Sequence, residues 1–286
     1  MPSNDSDNLT VNMPNTIATW FDLLPWLRKT RAKDGGWKSK SYWDSRGLTC
    51  LTDLSTPTLL NKLTLDSIES VDPEPRTEDF EFQLRLAALQ ADQRGKKGTP
   101  AEGSENRLNW ELCKSLRASR LVAFYEIPLV KKKKGQLKPD LLVFTKPGKV
   151  EIIELKRDGE DDPESPLLAL VECICYAIQT IKCWKHLRGE AMNYLKGWPV
   201  YENLTNIHLI IAGPNYWTRC NASNQPLTTE QFNRLLAIVD AVSVTLHREQ
   251  GVALSLSLAS VVEKPMLSGW LPAQLSAPDW SLLSGF

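Results

Sequence analysis

The feature that most restricts the fold of this chain is a pair of short apolar runs joined by turn chemistry. Leu137–Phe144 and Val150–Lys156 flank Thr145-Lys146-Pro147-Gly148-Lys149. A Pro-Gly step favours chain reversal, so the two runs are expected to pair as an antiparallel hairpin. The surrounding pattern is equally regular. Ser104 is placed to cap a helix from Glu105 to about Ser119, with Leu108, Leu112 and Leu116 along one stripe. Leu121–Val130 reads as a strand ahead of the hairpin, and a long helix follows it from Pro166 to about Leu187. Ile207–Ala212 is a buried strand, Thr228 or Thr229 caps a helix to about Arg248, and Val252–Val262 is the last strand. Helix, three strands, helix, strand, helix, strand predicts an α/β domain whose mixed central sheet is flanked by helices.

The hairpin also places charge. With the turn centred on Pro147, residues whose numbers sum to 294 oppose each other, so Asp140 faces Glu154. Directly opposed residues hold their Cβ atoms about 5 Å apart on one face. Lys156, two residues beyond Glu154, projects from that face too. The flanking positions Leu141, Leu142, Val143, Ile152, Ile153 and Leu155 are apolar. Two carboxylates in such a setting repel each other and are poorly solvated, so a proton, a cation or a metal ion must offset them. Oxygen donors suit Mg²⁺ or Mn²⁺. Lys156 offsets part of the charge and is placed to orient or deprotonate a water. The competing reading is an internal salt bridge with no chemistry.

Lys138-Pro139-Asp140, followed after the hairpin turn by Glu154-Leu155-Lys156, resembles the PD-(D/E)XK motif of the restriction-endonuclease-like nuclease superfamily. The resemblance spans about residues 104–212, and to 262 if the last strand is included. It implies a restriction-endonuclease-like α-β-β-β-α-β core. It further implies that Asp140 and Glu154 are metal ligands, that the Leu155 carbonyl is a third, and that Lys156 is the catalytic lysine. The family also places a Glu on the first helix. Glu105 lies on the Leu108/Leu112/Leu116 stripe and is preferred, whereas Glu111 falls on its flank. A first-turn Glu is also favoured by the helix dipole alone. Related enzymes carry Gln and Tyr one turn apart on the next helix. Here Glu172 and Tyr176 hold that spacing, so Glu stands where Gln is expected.

The implied activity is hydrolysis of phosphodiester bonds by a Mg²⁺- or Mn²⁺-dependent endonuclease, with DNA as the expected substrate and RNA left open. Lys131, Lys132, Lys133, Lys134 and Lys138 lie just before Asp140 and are expected to contact phosphates. The alternative is a nuclease-fold protein without turnover that binds nucleic acid or serves in an assembly.

The rest of the chain sets bounds. Residues 1–15 read as a disordered tail, and 16–100 as a Trp-rich and helical extension with a linker. Residues 101–286 read as the nuclease-like domain. Trp20, Trp26, Trp37 and Trp43 stand among lysines and arginines, which suits either base stacking or a small core with a charged rim. Phe80–Gln93 reads as a short helix. The extension is also the expected seat of any homodimer or protein contact. Thirty-four basic against 34 acidic residues exclude binding by bulk positive charge but permit a local basic surface. Three scattered histidines argue against a His-rich zinc site or a His-centred triad. Six cysteines without CxxC spacing read as buried thiols. The polar start and the charges within Pro166–Trp184 predict a cytoplasmic protein without membrane contact.

Overall fold

A computed structural model describes residues 19–24, 105–118, 122–127, 129, 137–146, 148–156, 166–188, 203–213, 216–218, 227–262, 265–266, 269–270 and 274–276. The hairpin forms as its turn chemistry requires: β2 (Leu141–Lys146) pairs antiparallel with β3 (Lys149–Leu155). Leu141 opposes Ile153, Leu142 opposes Ile152, Val143 opposes Glu151 and Phe144 opposes Val150. Each of these pairs obeys the sum rule. The register slips by one between Phe144 and Lys146, where the strands enter the turn.

Ahead of the hairpin come α1 (Glu105–Ala118) and β1 (Val122–Tyr125). After it come α2 (Pro166–Lys182), β4 (Asn206–Gly213), α3 (Thr229–Gln250) and β5 (Ala253–Val262). β2 runs antiparallel to both β1 and β3, its neighbours in chain order. Strands joined through α2 and α3, β3 to β4 to β5, run parallel, because a helical crossover returns the chain to the same end of the sheet. A short strand β8 (Gln274–Ser276) adds antiparallel to β5, giving the order β1-β2-β3-β4-β5-β8. Two further short strands, β6 (Pro265–Met266) and β7 (Gly269–Trp270), pair with each other. The domain is thus α/β with a mixed sheet flanked by helices.

Alternation along each strand divides the core into two layers. Ile153 and Leu155 of β3, Ile210 and Ala212 of β4 and Ala259 of β5 pack with Leu108, Leu112 and Cys113 of α1 on one face. Val150 and Ile152, Leu209 and Ile211, and Leu254 and Leu258 pack on the other face with α2 and α3. Trp20, Phe21, Leu23 and Leu24 belong to that second cluster, so this part of the Trp-rich segment is core. Trp26, Trp37, Trp43, the Phe80–Gln93 helix and the linker lie outside the described residues.

Three boundaries differ from the sequence reading by more than two residues. β1 stops at Tyr125 rather than Val130, because Glu126 adopts a left-handed φ of 45°. Its N–H still donates to the Asp140 carbonyl (3.0 Å), and Leu129 N–H to the Leu137 carbonyl (2.9 Å), so the two segments stay side by side. For the same reason β2 begins at Leu141 and not Leu137. The regular helix α2 ends at Lys182, with a turn at Cys183 before helix resumes over 184–188. At α3 the cap is Thr228. Its hydroxyl accepts from Gln231 N–H (3.2 Å) while the Gln231 side chain accepts from Thr228 N–H (2.9 Å), a reciprocal capping box. Cys113, Cys173, Cys175 and Cys183 are buried free thiols. No helix among the described residues is long and apolar enough to cross a membrane.

Candidate active site

The charged residues singled out by the hairpin meet at one end of the sheet, where β2 begins and β3 ends. Asp140 occupies the bend just before β2. Its Oδ2 accepts the Leu155 N–H at 2.7 Å, so a side chain closes the ladder at its last position. Its Oδ1 accepts from Asn109 Nδ2, also at 2.7 Å. Asn109 is fully buried on α1, one turn beyond Glu105. Asp140 is therefore held between a helix side chain on one layer and the backbone of the neighbouring strand.

Glu154 and Lys156 point toward α2. Lys156 Nζ lies 2.8 Å from Glu154 Oε1 and 3.0 Å from Glu172 Oε2. All three side chains are almost completely buried. The backbone of Lys156 is as tightly placed as its ammonium. Its N–H donates to the Ala212 carbonyl at 2.7 Å. Its own carbonyl lies where a Cβ on Gly213 would come within 2.1 Å. Only a residue without a Cβ allows β4 to end that close to Lys156.

Two carboxylates share the Lys156 ammonium and the charge of Asp140 acts on one of them, and the electrostatics follow. The Glu154 carboxyl is pushed well above its ordinary 4.5, first by burial and then by Asp140, against the pull of Lys156. Glu154 Oε1 has the lysine, whereas Oε2 is buried and no group among the described residues donates to it. The Tyr176 hydroxyl, one turn beyond Glu172, is pushed well above 10 by burial, Glu154 and Glu172, so it stays a neutral donor. The Cys173 thiol beside Glu172 is pushed up by burial and Glu154, which favours the neutral thiol over the thiolate.

The expected site residues separate into three groups. Asp140, Glu154 and Lys156 come together, with Glu172 completing the cluster and Tyr176 buried next to it. The preference for Glu105 over Glu111 has half an answer. Glu111 is engaged by Arg107 in an i, i+4 pair at 2.7 Å, while the Glu105 side chain lies outside the described residues. Lys138 is half-buried two residues before Asp140, and Lys131, Lys132, Lys133 and Lys134 lie outside the described residues. Asn109 was missed. A neutral amide carries no charge signal, and only its place one turn from Glu105 hinted that it faces the site.

Among the described residues no group of three or more His, Cys, Asp or Glu side chains gathers to hold a metal ion by itself. A hard divalent cation does not need one, since Mg²⁺ is commonly held by one or two carboxylates with water completing its shell. The donor set fits such an ion. Asp140 and Glu154 offer oxygens, and the buried Glu154 Oε2 has unused acceptor capacity. Comparison with protein-family models, with curated proteins and with solved structures finds no match for the chain.

Proposed function

We propose that this chain is a Mg²⁺- or Mn²⁺-dependent nuclease of restriction-endonuclease-like fold that hydrolyses phosphodiester bonds, with DNA as the substrate. The observation that carries the reading is the buried Glu154 Oε2. Among the described residues it has no hydrogen-bond donor, and it lies beside a lysine that two buried carboxylates hold at the end of the sheet. A purely structural ion cluster would be expected to match its charges. Here two buried carboxylates meet on one ammonium and the charge of Asp140 also acts on Glu154, a concentration of negative charge that a divalent cation would offset. The PD-(D/E)XK-like spacing of Asp140, Glu154 and Lys156 supports the same reading.

Asp140 and Glu154 would hold the cation, which when bound polarises a phosphate oxygen and lowers the pKa of a water. Everything else falls to the chain. The clamp of Asn109 and Leu155 N–H on Asp140 fixes that carboxylate before any ligand arrives, so no reorganisation is needed at the moment of reaction. Lys156 presents a positive charge at the same end of the sheet, suited to orient the attacking water and to stabilise charge developing on phosphorus. Lys138, and the Lys131–Lys134 run before it, would bear on the flanking phosphates.

The direct test uses supercoiled plasmid and single-stranded DNA or RNA, with Mg²⁺, Mn²⁺ or EDTA. Wild type is expected to cleave only with a divalent cation. Asp140→Ala and Lys156→Ala are expected to lose at least about two orders of magnitude in rate, the scale for removing one preorganised charged group. A second reading has one observation in its favour: Lys156 is held by two carboxylates, as in a stable internal cluster. It makes the chain a nucleic-acid-binding or assembly module. Metal-independent DNA binding without cleavage would establish that reading instead.

A further inference from the structure

The position of Glu172 has a consequence that goes beyond cleavage itself and rests on the cation reading above. Lys156 donates to two buried carboxylates on two different elements, Glu154 at the end of β3 and Glu172 in α2. The charge of Asp140 acts on Glu154. A cation arriving at Asp140 and Glu154 repels the ammonium at 2.8 Å from Glu154 Oε1. A lysine with only one partner would have to be displaced into an apolar interior, or would keep Glu154 from the cation. With Glu172 at 3.0 Å it already has a second full charge to rest on. We propose that Glu172 is a positioning residue that keeps Lys156 in place while Glu154 turns to the divalent cation.

The backbone supports the same division of labour. Lys156 is fixed from behind by its bond to the Ala212 carbonyl and by the close approach of Gly213, so its side chain swings about an immobile base. Glu172 sits within the stretch of α2 that is buried at every position from Pro166 to Thr180, so it cannot follow a moving ligand. Of the two carboxylates on Lys156, Glu154 thus has the unused oxygen and Glu172 the fixed seat. A neutral Gln at position 172 would offer an oxygen but not a charge.

The test is Mn²⁺ binding without substrate, read by electron paramagnetic resonance of the free ion, with circular dichroism as the check on folding. Wild type should bind, and Asp140→Ala should not. Glu172→Gln should bind about tenfold more weakly, the scale of a charge-assisted bond lost. In a Lys156→Met background the same substitution should change affinity by less than about twofold, because the residue through which it acts is gone. An equal loss in both backgrounds would mean that Glu172 acts on the cation by its charge alone, and overturns the proposal. So would full wild-type affinity in Glu172→Gln. Should Lys156→Met not fold, Glu172→Asp decides. It keeps the charge and shortens the reach, so it should bind like Glu172→Gln, and wild-type affinity there overturns the proposal. A folded wild type that binds no Mn²⁺ at all removes the cation reading and this one together. Loss of DNA cleavage with Mn²⁺ binding intact would leave this inference standing and refute only the nuclease.

Discussion

Helices α2 and α3 cover the same face of the sheet with opposite kinds of sequence. α3 is buried at Leu235, Ile238, Val239, Val242, Thr245 and Leu246, a stripe at helical spacing, and presents its charged residues outward. α2 is buried at every position from Pro166 to Thr180, yet it carries Glu172 and Gln179 into that interior. A helix like α3 can be explained by packing alone. In α2 each buried polar residue needs a partner, and they fare differently: Glu172 meets Lys156, while the side-chain polar atoms of Gln179 and Thr180 have no hydrogen-bond partner among the described residues. The charge in α2 is matched to a particular place on the sheet, which marks that place as more than core.

Breaking the match should cost more than breaking the packing. Lys156→Met removes the ammonium that Glu154 and Glu172 share and leaves both buried carboxylates without it. Its expected cost is about 3–5 kcal/mol at neutral pH, the range for one partner taken from a buried ion pair. Urea unfolding measures it. A loss below about 1 kcal/mol would show that the cluster is wetter than its burial implies.

The matching change in α3 is Leu246→Ala. Leu246 is fully buried in the stripe, and its truncation is expected to cost about 3 kcal/mol through lost transfer energy and a partly unfilled cavity. Here the two helices should part company. Leu246→Ala should leave the Mn²⁺ affinity and any cleavage rate of the folded fraction unchanged, whereas Lys156→Met should abolish cleavage. A Leu246→Ala variant as stable as wild type but altered in Mn²⁺ affinity would erase the contrast between the helices.

The same contrast explains how much was legible in the sequence. Periodicity found α1, α3 and the buried strands, and turn chemistry placed the hairpin in its observed register, because these depend on neighbours in the chain. The Asp140, Glu154 and Lys156 group followed from that register. Asn109 did not, since its partner is 31 positions away and an amide among apolar residues resembles an ordinary helix position. Glu172 was visible only as a departure from an expected Gln, and its pairing with Lys156 needed the third dimension. The early stop of β1 was hidden for another reason. It depends on one left-handed residue, Glu126, which has no Gly or Asn to announce it.

The smallest expected effect distinguishes the cluster from ordinary core by its response to pH. Glu154 has a folded-state pKa raised above its ordinary 4.5. A raised carboxyl pKa means that the folded state holds the proton more tightly than the unfolded state. The stability this adds is full below the ordinary value and is lost as pH rises through the raised one. Without divalent cations, wild-type stability should therefore decline from about pH 5 upward, by no more than about 1.4 kcal/mol per pH unit for one proton. Glu154→Gln should remove most of that decline while Lys156 keeps Glu172. Glu151 is raised by burial alone, so Glu151→Gln should remove a smaller part. Mg²⁺ should flatten the wild-type curve too, because a bound cation keeps the Glu154 carboxylate ionised in the folded state. Urea midpoints between about pH 5 and pH 8 decide it, and parallel curves for wild type and Glu154→Gln would mean that Glu154 folds with its charge already compensated.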